Sequence, residues 1–225
     1  MPSPAKARVA ILISGRGSNM VALIEAARAP DYPAEIVLVL SNRPDAPGLA
    51  RAAAAGIPTA AIDHMAFPAR EPFDAALDAA LRAARVDLVC LAGFMRVLTD
   101  RFVEAWAGRM LNIHPSLLPL FRGTRTHERA LEAGVRLHGC SVHYVVPELD
   151  AGPIVAQAAV PVRADDDASS LAARVVVQEH RLYPAALALV AAGRASLVAG
   201  RVRFEAGTAC PEGALLSLTA LDRTA

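Results

Sequence analysis

Aromatic residues are scarce, at 4% of a 225-residue chain, although hydrophobic residues reach 54%. Alanine makes up much of that share. So apolar a chain is globular rather than disordered, and long enough to bury one sizeable core. Neither sign of charge is in excess. The formal net charge is +1, which gives no push toward nucleic acid or a membrane surface. Cysteine is sparse: Cys90, Cys140 and Cys210 lie far apart and are odd in number. That pattern offers neither a disulfide framework nor zinc spacing and fits a reducing compartment, so the expected location is cytoplasmic. Cys90, inside an apolar run, reads as core. No apolar run is long enough to span a bilayer. The first such run, 8–13, is strand-length and enters a glycine turn, which is not the architecture of a signal peptide. The length suits one large domain with at most a short appendage.

What is present centres on 110–123, Met-Leu-Asn-Ile-His-Pro-Ser-Leu-Leu-Pro-Leu-Phe-Arg-Gly. Residues 110–114 read as a short strand stopped by Pro115. Side chains two apart on a strand share a face. Leu111 and Ile113 therefore point into packing, and Asn112 and His114 point the other way together. An amide donor beside a titratable imidazole suits a carbonyl whose oxygen is about to become negative. A bland reading is open for either residue alone: Asn112 as a loop cap, His114 as a satisfied core histidine. Their pairing at a strand end favours chemistry, because ligand sites in open α/β sheets lie beyond the carboxyl ends of strands.

The chain before this stretch alternates strand and helix. Strands are expected at 8–13, 36–40, 59–62 and 87–92, with helices at 20–28, 47–55, 71–84 and 102–106 and a loop at 64–70. That rhythm predicts a mostly parallel sheet with right-handed crossovers. It changes after Gly123. A helix at 126–133, two strands at 140–145 and 154–160, and a long helix at 168–189 capped by Asp167 follow, with a kink expected at Pro184. A hairpin at 197–206 turns near Gly200, and a poorly ordered tail is expected beyond Cys210. The fold class is α/β: a Rossmann-like, mostly parallel central sheet flanked by helices, with a mixed or antiparallel C-terminal part.

Three further constellations carry chemistry. Ser-Gly-Arg-Gly-Ser-Asn, 14–19, leaves strand one and enters a helix. It reads equally as a tight turn capped by Ser18 or Asn19 and as a monophosphate site built from helix-start amides. It is neither a Walker loop nor a dinucleotide fingerprint. Asp150 sits in a Leu-Asp-x-Gly-Pro turn. A turn aspartate usually bonds its own backbone, yet one beside a histidine would favour the charged imidazole. Glu179 falls on the apolar stripe defined by Leu171, Val175 and Leu182, and an inward carboxylate needs either an arginine or a ligand. His64, His127, His138, His143 and His180 show no metal-ligand spacing, so no metal site is expected.

Taken together, ISGRGSN, LAGFMRVL, NIHPSLLP, THERALEAG, HGCSVHYVVPELDAGPIVAQ and VQEHRLYP closely resemble the folate-dependent formyltransferase family over about 8–184. The likeness is greatest to members acting on 5′-phosphoribosylglycinamide in purine biosynthesis. It implies transfer of a formyl group from the co-substrate 10-formyltetrahydrofolate to the amine of that ribonucleotide, without a metal. It implies that Asn112, His114 and Asp150 are catalytic. Gly17, Ser18, Asn19 and Glu179 would bind the ribonucleotide, and Arg70, Met95, Arg96, Val97, Leu98 and Asn112 the folate. The expected domain spans 1–225: a phosphate-binding half at 7–107, a catalytic and folate-binding half at 108–195, and a tail at 196–225. The expected partners are these two small molecules, with no nucleic acid and no membrane, and the chain is a monomer or homodimer. Arg16 and Pro147 depart from the family's usual residues. Methionyl-tRNA formyltransferase and formyltetrahydrofolate deformylase are weaker fits, since each brings a further domain not expected here. A nucleotide-binding module without catalysis would leave the Asn112–His114 pair and Glu179 without a purpose. A nicotinamide oxidoreductase would need the dinucleotide glycine pattern.

Overall fold

The computed structural model describes residues 5–207, so the tail expected beyond Cys210 lies outside the described residues. The elements follow the expected alternation. They are β1 (Ala7–Ile13), α1 (Ser18–Ala27), β2 (Ala34–Ser41), α2 (Pro47–Ala54), β3 (Thr59–Ala61), α3 (Arg70–Ala83), β4 (Leu88–Leu91), α4 (Asp100–Ala105) and β5 (Met110–His114). Then come α5 (Thr126–Glu132), β6 (Leu137–Tyr144), β7 (Ile154–Pro161), α6 (Ala168–Ala191) and a hairpin of β8 (Ala195–Val198) and β9 (Arg201–Phe204). The loop expected at 64–70 contains a short 3-10 turn, His64–Ala66.

Seven strands form one sheet in the order β3-β2-β1-β4-β5-β6-β7. β1 to β5 are parallel, and β6 and β7 are antiparallel. The chain winds outward from β1 to β3 and then crosses to β4 on the other side. That reversal opens a crevice beyond the carboxyl ends of β1 and β4.

β1 explains its own sequence. Val9, Ile11 and Ile13 join the core layer that holds Leu23 of α1 and Leu171 and Val175 of α6. Ala10 and Leu12 join the opposite layer, with Phe73, Leu77 and Leu81 of α3 and Phe102 of α4. A strand buried on both faces reads as an unbroken apolar run.

Asp167 caps α6 as expected. Its Oδ1 accepts from the Ser170 amide at 2.7 Å, and Ser170 Oγ accepts from the Asp167 amide at 3.0 Å. This reciprocal pairing satisfies two amides at the start of the helix. α6 then runs through Pro184 without a break. The hairpin turns where expected, because Ala199 (φ 49°) and Gly200 (φ 75°) are both left-handed, the backbone a two-residue hairpin favours.

One local expectation is corrected. Neither Ser18 nor Asn19 caps α1; the cap is Gly17, left-handed at φ 69° and with no side chain to donate or accept. Asn19 is thereby released for a different contact.

Candidate active site

The site begins at the end of β5. Leu111 and Ile113 lie in the core layer against α1 and α6, which leaves Asn112 and His114 on the opposite face, as period two requires. After His114 the chain makes a proline-marked loop held by buried serines. Ser141 Oγ donates to the Ser116 carbonyl at 2.7 Å and accepts from the Leu118 amide at 3.0 Å. The loop ends at Phe121, left-handed at φ 54°, whose carbonyl accepts from His114 Nε2 at 3.0 Å. A carbonyl can only accept, so a neutral His114 keeps its proton on Nε2. Nδ1 is then the atom that can gain or lose a proton.

Nδ1 faces Asp150. The two groups are 3.4 Å apart at Asp150 Oδ2, and their side chains are 6% and 9% exposed. Asp150 is itself left-handed, at φ 49°. The turn carrying it is tightly fitted, since a Cβ on Gly152 would overlap the Tyr144 carbonyl. Asp150 does not bond its own backbone as an isolated turn aspartate would. Its Oδ2 accepts from the Gly123 amide at 2.8 Å, across 27 residues of chain.

A fourth side chain completes this cluster. β6 pairs antiparallel with β5 so that His143 lies opposite Asn112. Its Nε2 is 3.1 Å from Asn112 Nδ2 and 3.8 Å from Asp150 Oδ1. A register shift in the β6–β7 pairing falls between Val142 and His143, and such bulges re-aim side chains beside active sites. Burial pushes the His143 imidazole below its ordinary pKa, against the Tyr144 carbonyl and the Asp150 carboxylate. Sequence reasoning gave His143 no role other than as a rejected metal ligand. Its signal was the pairing register, which two strand assignments alone do not supply.

The glycine loop and α6 meet at the other side of the crevice. Asn19 Nδ2 donates to Glu179 Oε2 at 2.7 Å. Glu179 is 7% exposed, so it faces inward as its stripe position implied, and its hydrogen-bond partner is an amide rather than an arginine. Burial raises its carboxyl above the ordinary range, opposed by Asn19, His180 and His114. Asn19 Oδ1 and His180 Nε2 are buried and have no hydrogen-bond partner.

The residues expected to line a folate pocket divide. Met95 and Val97 are 77% and 57% exposed, and Leu149, next to Asp150, is 57% exposed. Leu98, also expected in that pocket, turns its side chain inward. It is 7% exposed and packs in the layer with Leu77 and Leu81. Arg96 lies 4.7 Å over the Phe73 ring with its Nε unpartnered. Phe73 is on the first turn of α3, the helix that begins with the exposed Arg70. The 95–97 segment is anchored by the Met95 amide, which donates to Ser14 Oγ at 2.8 Å. Ser14 in turn donates to Asn42 Oδ1 at 2.5 Å.

The remaining titratable groups do not join this chemistry. Burial pushes the Cys90 and Cys140 thiols up to about 12, so neither supplies a thiolate. His127 Nδ1 and His138 Nε2 are 3.1 Å apart, and burial takes His138 down to about 4. Among the described residues no group of three or more His, Cys, Asp or Glu is placed to hold a metal ion. No described helix is long and apolar enough to cross a membrane.

The fold is thus an α/β doubly wound sheet that gathers an amide, an imidazole and a carboxylate at its open end. A family model described as formyl transferase matches residues 7–187. The chain belongs to the formyl transferase family. Within it, the chain is similar to the phosphoribosylglycinamide formyltransferase of Escherichia coli, 47% identical over 83% of this chain and 88% of that one. It is also 52% identical to a trifunctional purine biosynthetic protein, adenosine-3, of Homo sapiens, over 85% of this chain. The chain spans only 19% of that human protein's length. The glycinamide ribonucleotide transformylase 1 structure of Symbiobacterium toebii superposes with a TM-score of 0.86 at 46% identity, covering 88% of this chain and 94% of that one. The Brucella melitensis phosphoribosylglycinamide formyltransferase gives a TM-score of 0.80 at 56% identity, over 84% and 97%.

Proposed function

We propose that the chain transfers the formyl group of 10-formyltetrahydrofolate to the amine of 5′-phosphoribosylglycinamide, a step of purine biosynthesis. The observation that carries this reading is the seating of His114. Its Nε2 is committed to the Phe121 carbonyl, and its Nδ1 faces Asp150 across 3.4 Å, beside the Asn112 amide.

The substrate amine attacks the formyl carbon, and the carbonyl electrons move to oxygen. Asn112 donates to that oxygen, and protonated His114 offers a second donor from Nδ1. Losing one such donor typically costs about a hundredfold or more in rate. The new ammonium must then lose a proton and the departing folate nitrogen must gain one. His114 Nδ1 and Asp150 are assigned to pass it before the carbon–nitrogen bond to folate breaks. No side-chain nucleophile and no metal ion is assigned a step.

The glycine loop is assigned to the ribonucleotide phosphate through the amides at Gly17, Ser18 and Asn19. α1 has no side-chain cap there, so its first-turn donors are open to an anion. Glu179 is assigned to the amine-bearing side of the same substrate. Asn19 Oδ1 and His180 Nε2, buried without partners, mark polar space beside it. The exposed Met95 and Val97, and the exposed Leu149 next to Asp150, are assigned to the folate ring, since exposed large apolar side chains can mark binding surface. Arg70 and Arg96 are assigned to its acidic end.

The test is formyl transfer by the purified chain, with both substrates present and each omitted in turn. Transfer is expected to require both, and Asn112→Ala, His114→Ala and Asp150→Ala should each abolish most of it. Equal turnover by all three variants would remove this assignment.

A further inference from the structure

His143 is neither one of the three side chains assigned to catalysis nor a piece of core. It is buried, and each of its ring nitrogens has a defined neighbour. Nδ1 lies 2.9 Å from the Tyr144 carbonyl oxygen, which can only accept, so Nδ1 carries the hydrogen. In the neutral ring Nε2 then holds a lone pair. That lone pair faces the Asn112 side chain at 3.1 Å and can accept only from its NH2 end. The choice made at one backbone carbonyl is thus passed through the imidazole to the amide.

We propose that His143 is a positioning residue, whose Nε2 lone pair fixes the Asn112 amide so that Asn112 meets the reacting carbonyl as a donor and not as an acceptor. This inference rests on the formyl-transfer reading. An amide nitrogen has two hydrogens. One is committed to His143, and the other remains for the formyl oxygen. Without the His143 lone pair the amide is free to turn over. Its own oxygen would then face a carbonyl oxygen that becomes negative in the transition state, which replaces attraction by repulsion. Preorganised donors work because they need no reorientation at the moment of reaction.

The surroundings of His143 favour its neutral form. Burial acts most strongly and holds the imidazole below the ordinary histidine range, and the neighbouring His114 acts in the same direction. The Tyr144 carbonyl and the Asp150 carboxylate act against them. A Cβ on Gly152 would come within 3.3 Å of Nδ1, and Ile154 of β7 pairs opposite. A metal ligand or a proton shuttle would need a free ring nitrogen, and His143 has none.

The experiment compares His143→Gln, His143→Asn and His143→Leu. The oxygen of a glutamine side chain reaches about as far as Nε2, whereas that of asparagine reaches only as far as Nδ1. His143→Asn and His143→Leu are expected to lower kcat by on the order of tenfold to a hundredfold, with KM for both substrates nearly unchanged. His143→Gln is expected to recover most of the loss. Nitrogen-15 NMR of the intact wild-type chain supplies a readout that needs no variant to fold. It should find Nε2 unprotonated near neutral pH and a through-hydrogen-bond coupling to Asn112 Nδ2. A protonated Nε2, a glutamine variant as slow as the leucine one, or an asparagine variant as fast as wild type would each overturn the proposal. A wild-type chain with no formyl transfer at all would instead overturn the reading on which it rests.

Discussion

Asn19, in the first turn of α1, donates through Nδ2 to Glu179 Oε2 on α6 at 2.7 Å, joining side chains 160 residues apart. The contact ties the assigned phosphate loop to the assigned amine side of one crevice. Among the described residues Glu179 has no arginine or lysine in a salt bridge, and such a buried carboxylate is costly to ionise.

Glu179→Gln should separate these two properties. Burial raises the folded pKa of Glu179. A carboxyl raised in this way binds its proton more tightly folded than unfolded. Its penalty is therefore absent well below the unfolded pKa and grows as pH rises through the folded one. The glutamine variant should melt with wild type at low pH and above it at pH ~8, by about 2–4 °C per kcal/mol in a chain of this length. Its ribonucleotide dissociation constant should rise by on the order of tenfold, since hydrogen bonds to charged groups contribute about 1.5–3 kcal/mol. Folate binding should be unmoved. Melting scans at both pH values with separate titrations of each substrate decide it, and a gain in stability that ignores pH would show that charge is not the cause.

Gly152 tests the turn that presents Asp150. A Cβ there would overlap the Tyr144 carbonyl, which cannot move without disturbing the β6 pairing that places His143. Gly152→Ala should cost about 3 kcal/mol or more, in the range of forced overpacking. Turnover should fall further than the unfolded fraction explains. Urea denaturation beside kcat would measure both, and a variant as stable and as fast as wild type would show that the turn is free to relax.

Much of this site could be read from the sequence, for identifiable reasons. The shared face of Asn112 and His114 followed from the two-residue period of a strand. The inward Glu179 followed from its place four residues after Val175 on a helical stripe. Partners were not legible in the same way. Asn19 meets Glu179, and Asp150 meets the Gly123 amide, only because the sheet order and the antiparallel return of β6 bring distant segments together. His143 needed the β5–β6 register, one residue of which decides which face a side chain takes. The direction of the Leu98 side chain was not legible either. Leu98 sits in a motif with the exposed Met95 and Val97, yet it packs into the α3 layer, because a loop has no period from which to read direction.

Ser14 offers a test of how the 95–97 segment is held. Its Oγ accepts from the Met95 amide at 2.8 Å and donates to Asn42 Oδ1 at 2.5 Å, and Ser14 is 8% exposed. Ser14→Ala leaves a backbone donor and an amide oxygen without their partner, at a cost of about 1–3 kcal/mol. KM for the folate should rise several-fold while KM for the ribonucleotide stays constant. Steady-state kinetics with each substrate varied would show the split, and a parallel rise in both would assign Ser14 to general packing.

His114 and Asp150 should behave as one unit. Nε2 of His114 is held by the Phe121 carbonyl, so only Nδ1 can exchange a proton with the reacting groups, and Asp150 Oδ2 is 3.4 Å from it. The carboxylate also accepts from the Gly123 amide at 2.8 Å, which fixes its direction. Asp150→Asn can keep that backbone bond through the amide oxygen. That oxygen then stands in the Oδ2 place facing Nδ1 without a charge, and the NH2 takes the Oδ1 place beside His143 Nε2, so the anion next to Nδ1 is lost. Turnover should fall by about a hundredfold or more, the usual scale for a lost acid–base group, while both substrates bind as before. His114→Ala should fall by a similar factor, since either change breaks the same pair. Groups that act through one shared proton do not contribute independently. The double variant should therefore be about as slow as the slower single variant, not slower by the product of the two. Single-turnover rates for wild type, both single variants and the double variant close the cycle. Losses that multiply would separate the two residues and leave Asp150 as the anchor of its turn.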